Sequence, residues 1–390
     1  MSPAEKSLVP RTPRRRKAVV YSVEIVRLAL YDIGRSIDLK AAAALLPGVP
    51  GMRLARRRDT PSSLTMPAPL CVDLRSGLRK VYSEDSIEGF AASARLYDEG
   101  VMSIIVRLRV NATLEELHSI ETKPVSASIH DLDSYIAERY RAVLEQVLPA
   151  VASPRDEPES ETYLAYCFAD VGAAPNRFMH DNEKALTTLL AGEPWNYPLH
   201  ESQVRNAMRN PLSYSEHDLA VFDMDRCIIV DSERDYEDVL LICELANYQY
   251  LELRNLDKLL DRWLDEAEDD VAALARKGKG KRLDTSALQR KFGKIQTVRL
   301  DALFILENLE NSAKIIGDYF LGTVYEHICG IFNTSGWTRS VERRLDALQN
   351  IYEIVKVEKS ERTMLILDVV FIIVCIIFPV LQILQVMLSS

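Results

Sequence analysis

Apolar positions recur along this chain with two different periods, and the change between them falls near residue 231. Before it, short apolar runs and two-residue alternation predominate. Ala18 to Leu30 (AVVYSVEIVRLAL) is β-branched and apolar on both alternating faces, which predicts a buried strand ended by Gly34. Leu39 to Leu46 predicts a short alanine-rich helix stopped by PGVPG, and 51–69 a proline-containing loop with Arg53, Arg56, Arg57 and Arg58. Cys71 to Tyr82 reads as a strand or hairpin. Asp85 or Ser86 can cap a helix carrying Ile87, Phe90, Ala91, Ala94 and Leu96, with Gly100 suited to end it. In VMSIIVRLRV (101–110), Val106, Leu108 and Val110 alternate with Arg107 and Arg109, the mark of a half-buried strand. Helices are expected at about 112–120 and 129–149 and a strand at Glu161 to Ala169. Residues 171–216 read as loop-rich with two short helices, followed by a hairpin or one long strand over Leu219 to Asp231.

Past Asp231 everything reads as helix. About Glu237 to Glu268 places Leu245, Leu253, Leu256, Leu260 and Trp263 on one face. Leu288, Phe292, Ile295, Arg299, Ala302, Leu306, Leu309, Ala313, Ile316 and Phe320 then recur in steps of four and three, a heptad seam in which Arg299 needs a partner. The glycine-broken ARKGKGKRLDTS (275–286) predicts the tip of an antiparallel helical hairpin. Val341, Leu345, Leu348, Tyr352 and Val355 continue the rhythm in a third helix, a stalk that packs with the hairpin inside one chain or pairs between chains.

The last 28 residues change the picture again. Val369 to Leu388 is an uncharged run of 20 residues, interrupted only by Pro379, Gln382 and Gln385. A helix of about that length crosses a hydrocarbon core of about 30 Å, so the run predicts one C-terminal transmembrane helix. Lys356, Lys359, Arg362 and Asp368 would mark the membrane interface. The cations favour a cytoplasmic position for the bulk of the chain, with a bacterial inner membrane preferred and a mitochondrial inner membrane as the alternative. The expected architecture is thus an α+β N-terminal domain of ferredoxin-like type (18–231) behind a basic tail (1–17). A helical hairpin and stalk (232–362) and a membrane anchor (363–390) follow.

Composition adds limits rather than chemistry. With 47% apolar and 27% charged residues the chain is ordinary globular protein, and its net charge of −9 disfavours polyanion binding by the body as a whole. Local cations are the exception: Arg276, Lys277, Lys279, Lys281 and Arg282 crowd the hairpin tip and suit an anionic partner. The six cysteines are scattered without metal-ligand spacing and read as reduced core residues. The six histidines stand apart, and no P-loop, zinc-protease or nucleophile-elbow motif occurs, so no cofactor or metal is expected.

Three resemblances follow from the residues. VFDMDRCIIVDSE (221–233) resembles the first motif of haloacid-dehalogenase-type phosphohydrolases, implying Asp223 as nucleophile, Asp225 as proton donor and a magnesium ion. Arg226 and Cys227 depart from that motif, and only helical pattern follows it. The order of parts around DYEDVLLICELANYQYLELRNLDKLLDRWLD, LENLENSAKIIGDYF and RRLDALQNIYEIVKVEKSE resembles the required-for-meiotic-nuclear-division family, which implies a membrane-tethered protein that supports translation. An α+β domain joined to a stalk and a span is similar to CorA-type magnesium channels, but the Gly-Met-Asn motif and second span are absent. The functional expectation is a membrane-anchored scaffold or adaptor without a catalytic site. Its partners would be a lipid bilayer and a protein, or a second copy through the stalk. The alternatives are an oligomeric transport component with Gln382 and Gln385 between spans, and the phosphohydrolase.

Overall fold

The structure, a computed structural model, describes residues 19–46, 69–74, 87–120, 131–276 and 319–351, and 293, 297, 299–300, 302–303, 369–373, 375 and 377. These fall into two compact units. The described residues of Met1–Asn247 and Asp318–Ile328 form the first, those of Tyr248–Gly317 and Cys329–Ser390 the second.

The first unit is built on a seven-stranded mixed sheet. Its strands are β1 (Tyr21–Asp32), β3 (Leu70–Asp73), β4 (Ile87–Leu96), β5 (Val101–Ala112), β7 (Ser160–Asp170), β8 (Asp218–Phe222) and β9 (Arg226–Asp231), in the spatial order β3-β4-β5-β1-β7-β9-β8. A separate two-stranded ribbon pairs β2 (Ser36–Ile37) with β6 (Val151–Ala152). The helices of this part are α1 (Leu39–Leu45), α2 (Leu114–Ile120), α3 (Leu132–Val147), α4 (Pro175–Ala191) and α5 (Glu201–Ala207). β1 lies at the centre, antiparallel to β5 and to β7. The pair β7 and β9 is parallel, joined through α4, α5 and β8. Seven strands with one parallel pair replace the expected ferredoxin-like arrangement.

Two-residue alternation assigns every strand a core face. Val23, Ile25 and Ala29 of β1, Ile104, Val106 and Leu108 of β5 and Leu164, Tyr166 and Phe168 of β7 share one apolar cluster. Tyr135, Ile136 and Val143 of α3, Leu117 of α2 and Phe178 and Leu189 of α4 complete it. The helices are capped where the chain offers a carboxylate: Asp38 accepts from Lys40 N at 3.0 Å and Asp131 from Ser134 N at 2.6 Å.

One segment changes class. The expected helix over 86–96 is β4, paired on both sides, and Ala92, Ala94 and Leu96 alternate into the core while Arg95 points to the opposite face. Alanine-rich spacing favours helix locally, but two flanking ladders outweigh a propensity difference of a few tenths of a kcal/mol per residue. Gly100 ends this strand, not a helix. It sits at φ +94°, and a Cβ there would lie 1.9 Å from the Gly34 carbonyl oxygen, so the β4–β5 turn requires glycine. α4, with 17 residues, is also longer than the short helix expected.

Helix α6 (Glu237–Arg276) begins in the first unit and supplies the second with its remainder. In the second unit Leu253, Leu256 and Leu260 of α6 pack with Val341, Leu345 and Leu348 of the helical residues 334–351. Ser340 Oγ donates to Asp257 Oδ1 at 3.0 Å, and Arg344 pairs with Asp257 at 3.0 Å and with Asp261. Contacts advance together along both helices, so the two run parallel, and the packing is within one chain. Ala302 joins the same cluster, and Arg299 donates to the Gln349 amide oxygen. Among the described residues the seam cation therefore meets a neutral acceptor.

Among the described residues no helix is long and apolar enough to cross a membrane. This overturns the C-terminal transmembrane anchor, and with it the single-pass topology, the membrane placement and the cytoplasmic orientation expected from the sequence. Crossing takes about 20 continuous apolar helical residues, and no described helix carries such a run. Apart from 369–373, 375 and 377, residues 363–390, with Gln382 and Gln385, lie outside the described residues, as do Lys356, Lys359, Arg362 and Asp368.

Candidate functional site

Among the described residues a dense arrangement of charged groups lies on the sheet face opposite the large apolar cluster, under the first turns of α6. Alternation puts Glu24 of β1, Arg95 of β4 and Arg107 and Arg109 of β5 on this face, among apolar neighbours such as Val26, Leu28 and Ile105. Each finds a partner. Glu244 of α6, 2% exposed, takes a salt bridge from Arg95 and a 2.9 Å hydrogen bond from the Tyr97 hydroxyl. Arg107 Nη2 donates to Glu237 Oε2 at 2.7 Å. Glu24 accepts from the Tyr236 hydroxyl and faces Arg107 at 3.8 Å and Arg109 at 3.7 Å.

The electrostatics follow from burial and pairing. Burial alone would pull the Arg95 guanidinium down, but the Glu244 carboxylate, with Tyr97 and Cys71, outweighs it and the net shift is upward. Tyr97 is pushed well up by burial and then by Glu244. Tyr236 rises for the same first reason, with its hydrogen bond to Glu24 second. Arg95, Tyr97 and Tyr236 are therefore held in their ordinary charge states at neutral pH, which suits a structural clamp.

Beside this network three thiols share the same face: Cys167 of β7, Cys227 of β9 and Cys243 of α6, all fully buried and free. Burial pushes the Cys227 thiol well up, and its hydrogen bond with Cys243 adds to the shift. Cys167 is raised by burial and then by Cys227. Thiols held protonated in this way are unreactive. Among the described residues no group of three or more His, Cys, Asp or Glu side chains is placed to hold a metal ion.

Asp223 and Asp225 lie in the tight β8–β9 turn. Asp223 N donates to Arg226 O at 2.8 Å, and the buried Tyr163 hydroxyl donates to the carbonyls of Arg226 at 3.0 Å and Asp223 at 3.3 Å. The Asp223 carboxylate accepts from Met224 N at 2.8 Å, and burial raises it modestly against that bond. Arg226, where the phosphohydrolase motif has glycine, turns its guanidinium to Leu189 O at 3.5 Å at the C-terminus of α4. Gly192 there has φ +63°, and a Cβ would lie 2.7 Å from Arg226 Nη2. The cation thus sits against a helix C-terminus, where the dipole favours it. This local structure accounts for the MDR sequence as a turn with an arginine lock.

A cleft of about 530 Å³ opens at the carboxyl ends of β7 and β9, lined among others by Asp170, Pro175, Asn176, Glu216, His217 and Ser232. Carboxyl ends of parallel strands beside a helix N-terminus are a common place for ligands. Here α4 starts without a side-chain cap, which favours an anion, while Asp170 and Glu216 repel one, and Asp170 already accepts from Gly172 N at 2.8 Å.

Of the residues singled out from the sequence, Arg276 ends α6, while Lys277, Lys279, Lys281 and Arg282 lie outside the described residues. The clamp residues Glu24, Arg95, Tyr97, Tyr236, Glu237 and Glu244 escaped sequence reasoning. One signal was available: Glu24 interrupts an otherwise apolar strand, and a charge in such a run needs a partner.

Residues 22–237, from β1 to the first residue of α6, match the family described as "Uncharacterized protein MJ0711, N-terminal domain". The chain is similar to the "Uncharacterized protein MJ0711" of Methanocaldococcus jannaschii, 24% identical over 274 residues that cover 70% of this chain and 76% of that protein. No solved structure matches. The family match spans more than half of the chain, and the chain belongs to this family.

Proposed function

We propose that this family member is a scaffold or adaptor, a non-enzymatic protein in which the sheet domain anchors α6 and the helical unit beyond it engages a protein partner. The observation that carries this reading is the closure of the charged network on itself. Arg95, Arg107, Glu24, Glu237 and Glu244 are consumed by one another, so this charged cluster fastens a helix. The sheet domain thereby holds the first turns of α6. The cations Arg276, Lys277, Lys279, Lys281 and Arg282, at and beyond its end, are the proposed contact to an acidic face of that partner.

In-cell crosslinking of the full chain followed by mass spectrometry tests this. The expected result is a set of crosslinks to another protein that map to 248–282, with those at the basic segment reduced at least five-fold in Lys277→Glu/Lys279→Glu/Lys281→Glu. Crosslinks confined to this chain, or an unchanged pattern in the triple variant together with substrate turnover by the purified chain, would overturn the reading.

A further inference from the structure

Helix α7 (Tyr319–Phe332) gives its first turns, Tyr319–Ile328, to the sheet domain, and these are held there unlike α6. Val324 and Ile328 are fully buried, the Phe320 ring lies 5.5 Å from that of Tyr214, and the His327 ring lies 6.0 Å from that of the buried Phe222 on β8. Leu219 and Val221 of β8 belong to the large apolar cluster, so alternation puts Phe222, and His327 with it, on the opposite face. Glu326 and His327 are the residues of this stretch that carry charge near neutral pH. Among the described residues neither makes an ion pair or a hydrogen bond. His327 is thus a titratable ring in a contact that is otherwise apolar and aromatic. Burial pushes its imidazole below the usual 6.5. Glu216 and His217 precede β8, Asp218 begins it, Asp223 follows it and Glu326 adjoins the ring on α7, and none of them contributes to the shift. An imidazolium here would lose water without gaining a carboxylate.

We propose that α7 is an acid-sensitive latch: a proton on His327 releases Tyr319–Ile328 from β8 while the rest of the sheet domain stays folded. The direction follows from linkage. A histidine whose folded value is lowered contributes fully above its unfolded value, and that contribution is lost as pH falls through about 6.5. Release stays local because no ion pair ties this stretch to the strands, and a segment held by few contacts opens at less cost than the whole domain. Opening uncovers Phe222, Val324 and Ile328, so acid would bare an apolar surface beside β8. This inference does not depend on the scaffold reading.

Hydrogen–deuterium exchange of the full chain, read by mass spectrometry with labelling times scaled for the intrinsic rate, tests this. Between about pH 7.5 and about pH 5.5, exchange within 319–328 should rise about three-fold or more relative to that of α4. In His327→Phe, which keeps an aromatic ring against Phe222, the ratio should stay flat. Nuclear magnetic resonance of the histidine rings, with the His327 signal assigned by its loss in the variant, should show that ring titrating below 6.5. A His327 that titrates at or above 6.5, or exchange at 319–328 that ignores pH, would overturn the proposal. So would a pH dependence that persists in His327→Phe, or an equal rise in α4, since the proton would then act elsewhere or loosen the whole domain. Should His327→Phe fail to fold, His327→Gln takes its place as the variant whose ratio must stay flat.

Discussion

On one face of the sheet Ile104, Val106 and Leu108 of β5 share one apolar cluster with side chains of α2, α3 and α4. On the other, the intervening Arg107 of β5 and Arg95 of β4 meet α6 through carboxylates. The two faces hold their helices by different physics. Apolar contact is non-directional and tolerates exchange of one hydrocarbon for another of similar volume. A buried ion pair adds little net stability, yet it penalises any placement in which one partner is missing. The charged face therefore determines which turn of α6 lies over which strand, and the apolar face supplies most of the driving force.

Breaking the charged face on one side should have the largest effect. Glu244→Ala leaves Arg95 buried beside Tyr97 without its carboxylate, and urea unfolding should show a loss of about 3–5 kcal/mol. The pair Arg95→Met/Glu244→Leu should recover most of that loss; if it is as unstable as Glu244→Ala, the uncompensated charge is not the cause. On the apolar face Ile104→Val removes one methylene from a fully buried site and should cost about 0.5–1.5 kcal/mol in the same assay. Asp133→Ala sharpens the contrast further. Arg27 Nη2 meets Asp133 at 3.1 Å, but the carboxylate is 69% exposed, so its removal should cost under about 1 kcal/mol.

A further expected effect is a dependence on pH at the β4–β5 turn. Burial first, and then the hydrogen bond with Asp98, push the Glu99 carboxyl from its usual 4.5 to about 8. A carboxyl whose folded value is raised favours the fold below its unfolded value, and that contribution is lost as pH rises towards the folded value. Stability should therefore fall between about pH 4.5 and 8 relative to Glu99→Gln, in which this slope is absent; parallel curves for the two proteins would show that Glu99 does not titrate in that window.

Much of the sheet was legible from local pattern because alternation is a property of the strand itself. Val106, Leu108 and Val110 against Arg107 and Arg109 already divide β5 into two faces, and the run from Ala18 to Leu30 announces a strand buried on both sides. The helices around Leu132–Val147 and after Asp231 were legible for the same reason, in the longer period. β4 was not, since its alanines satisfy either period and only the ladders on both flanks decide. The clamp was hidden for a different reason: Glu24 and Tyr236 are 212 residues apart and Arg95 and Glu244 149, and no local pattern pairs residues across such separations.

What the amino-acid sequence determined by itself was the period of the segments other than β4, the charge placed on each strand face, and the uncharged character of the C-terminus. These are properties of a residue and its near neighbours along one backbone. Only the tertiary structure decided that Arg107 faces Glu237 instead of water, that Arg226 locks a helix terminus, and that α6 runs parallel to 334–351. Those outcomes depend on which distant groups remain to satisfy a buried charge or cover an apolar stripe once the chain has closed on itself.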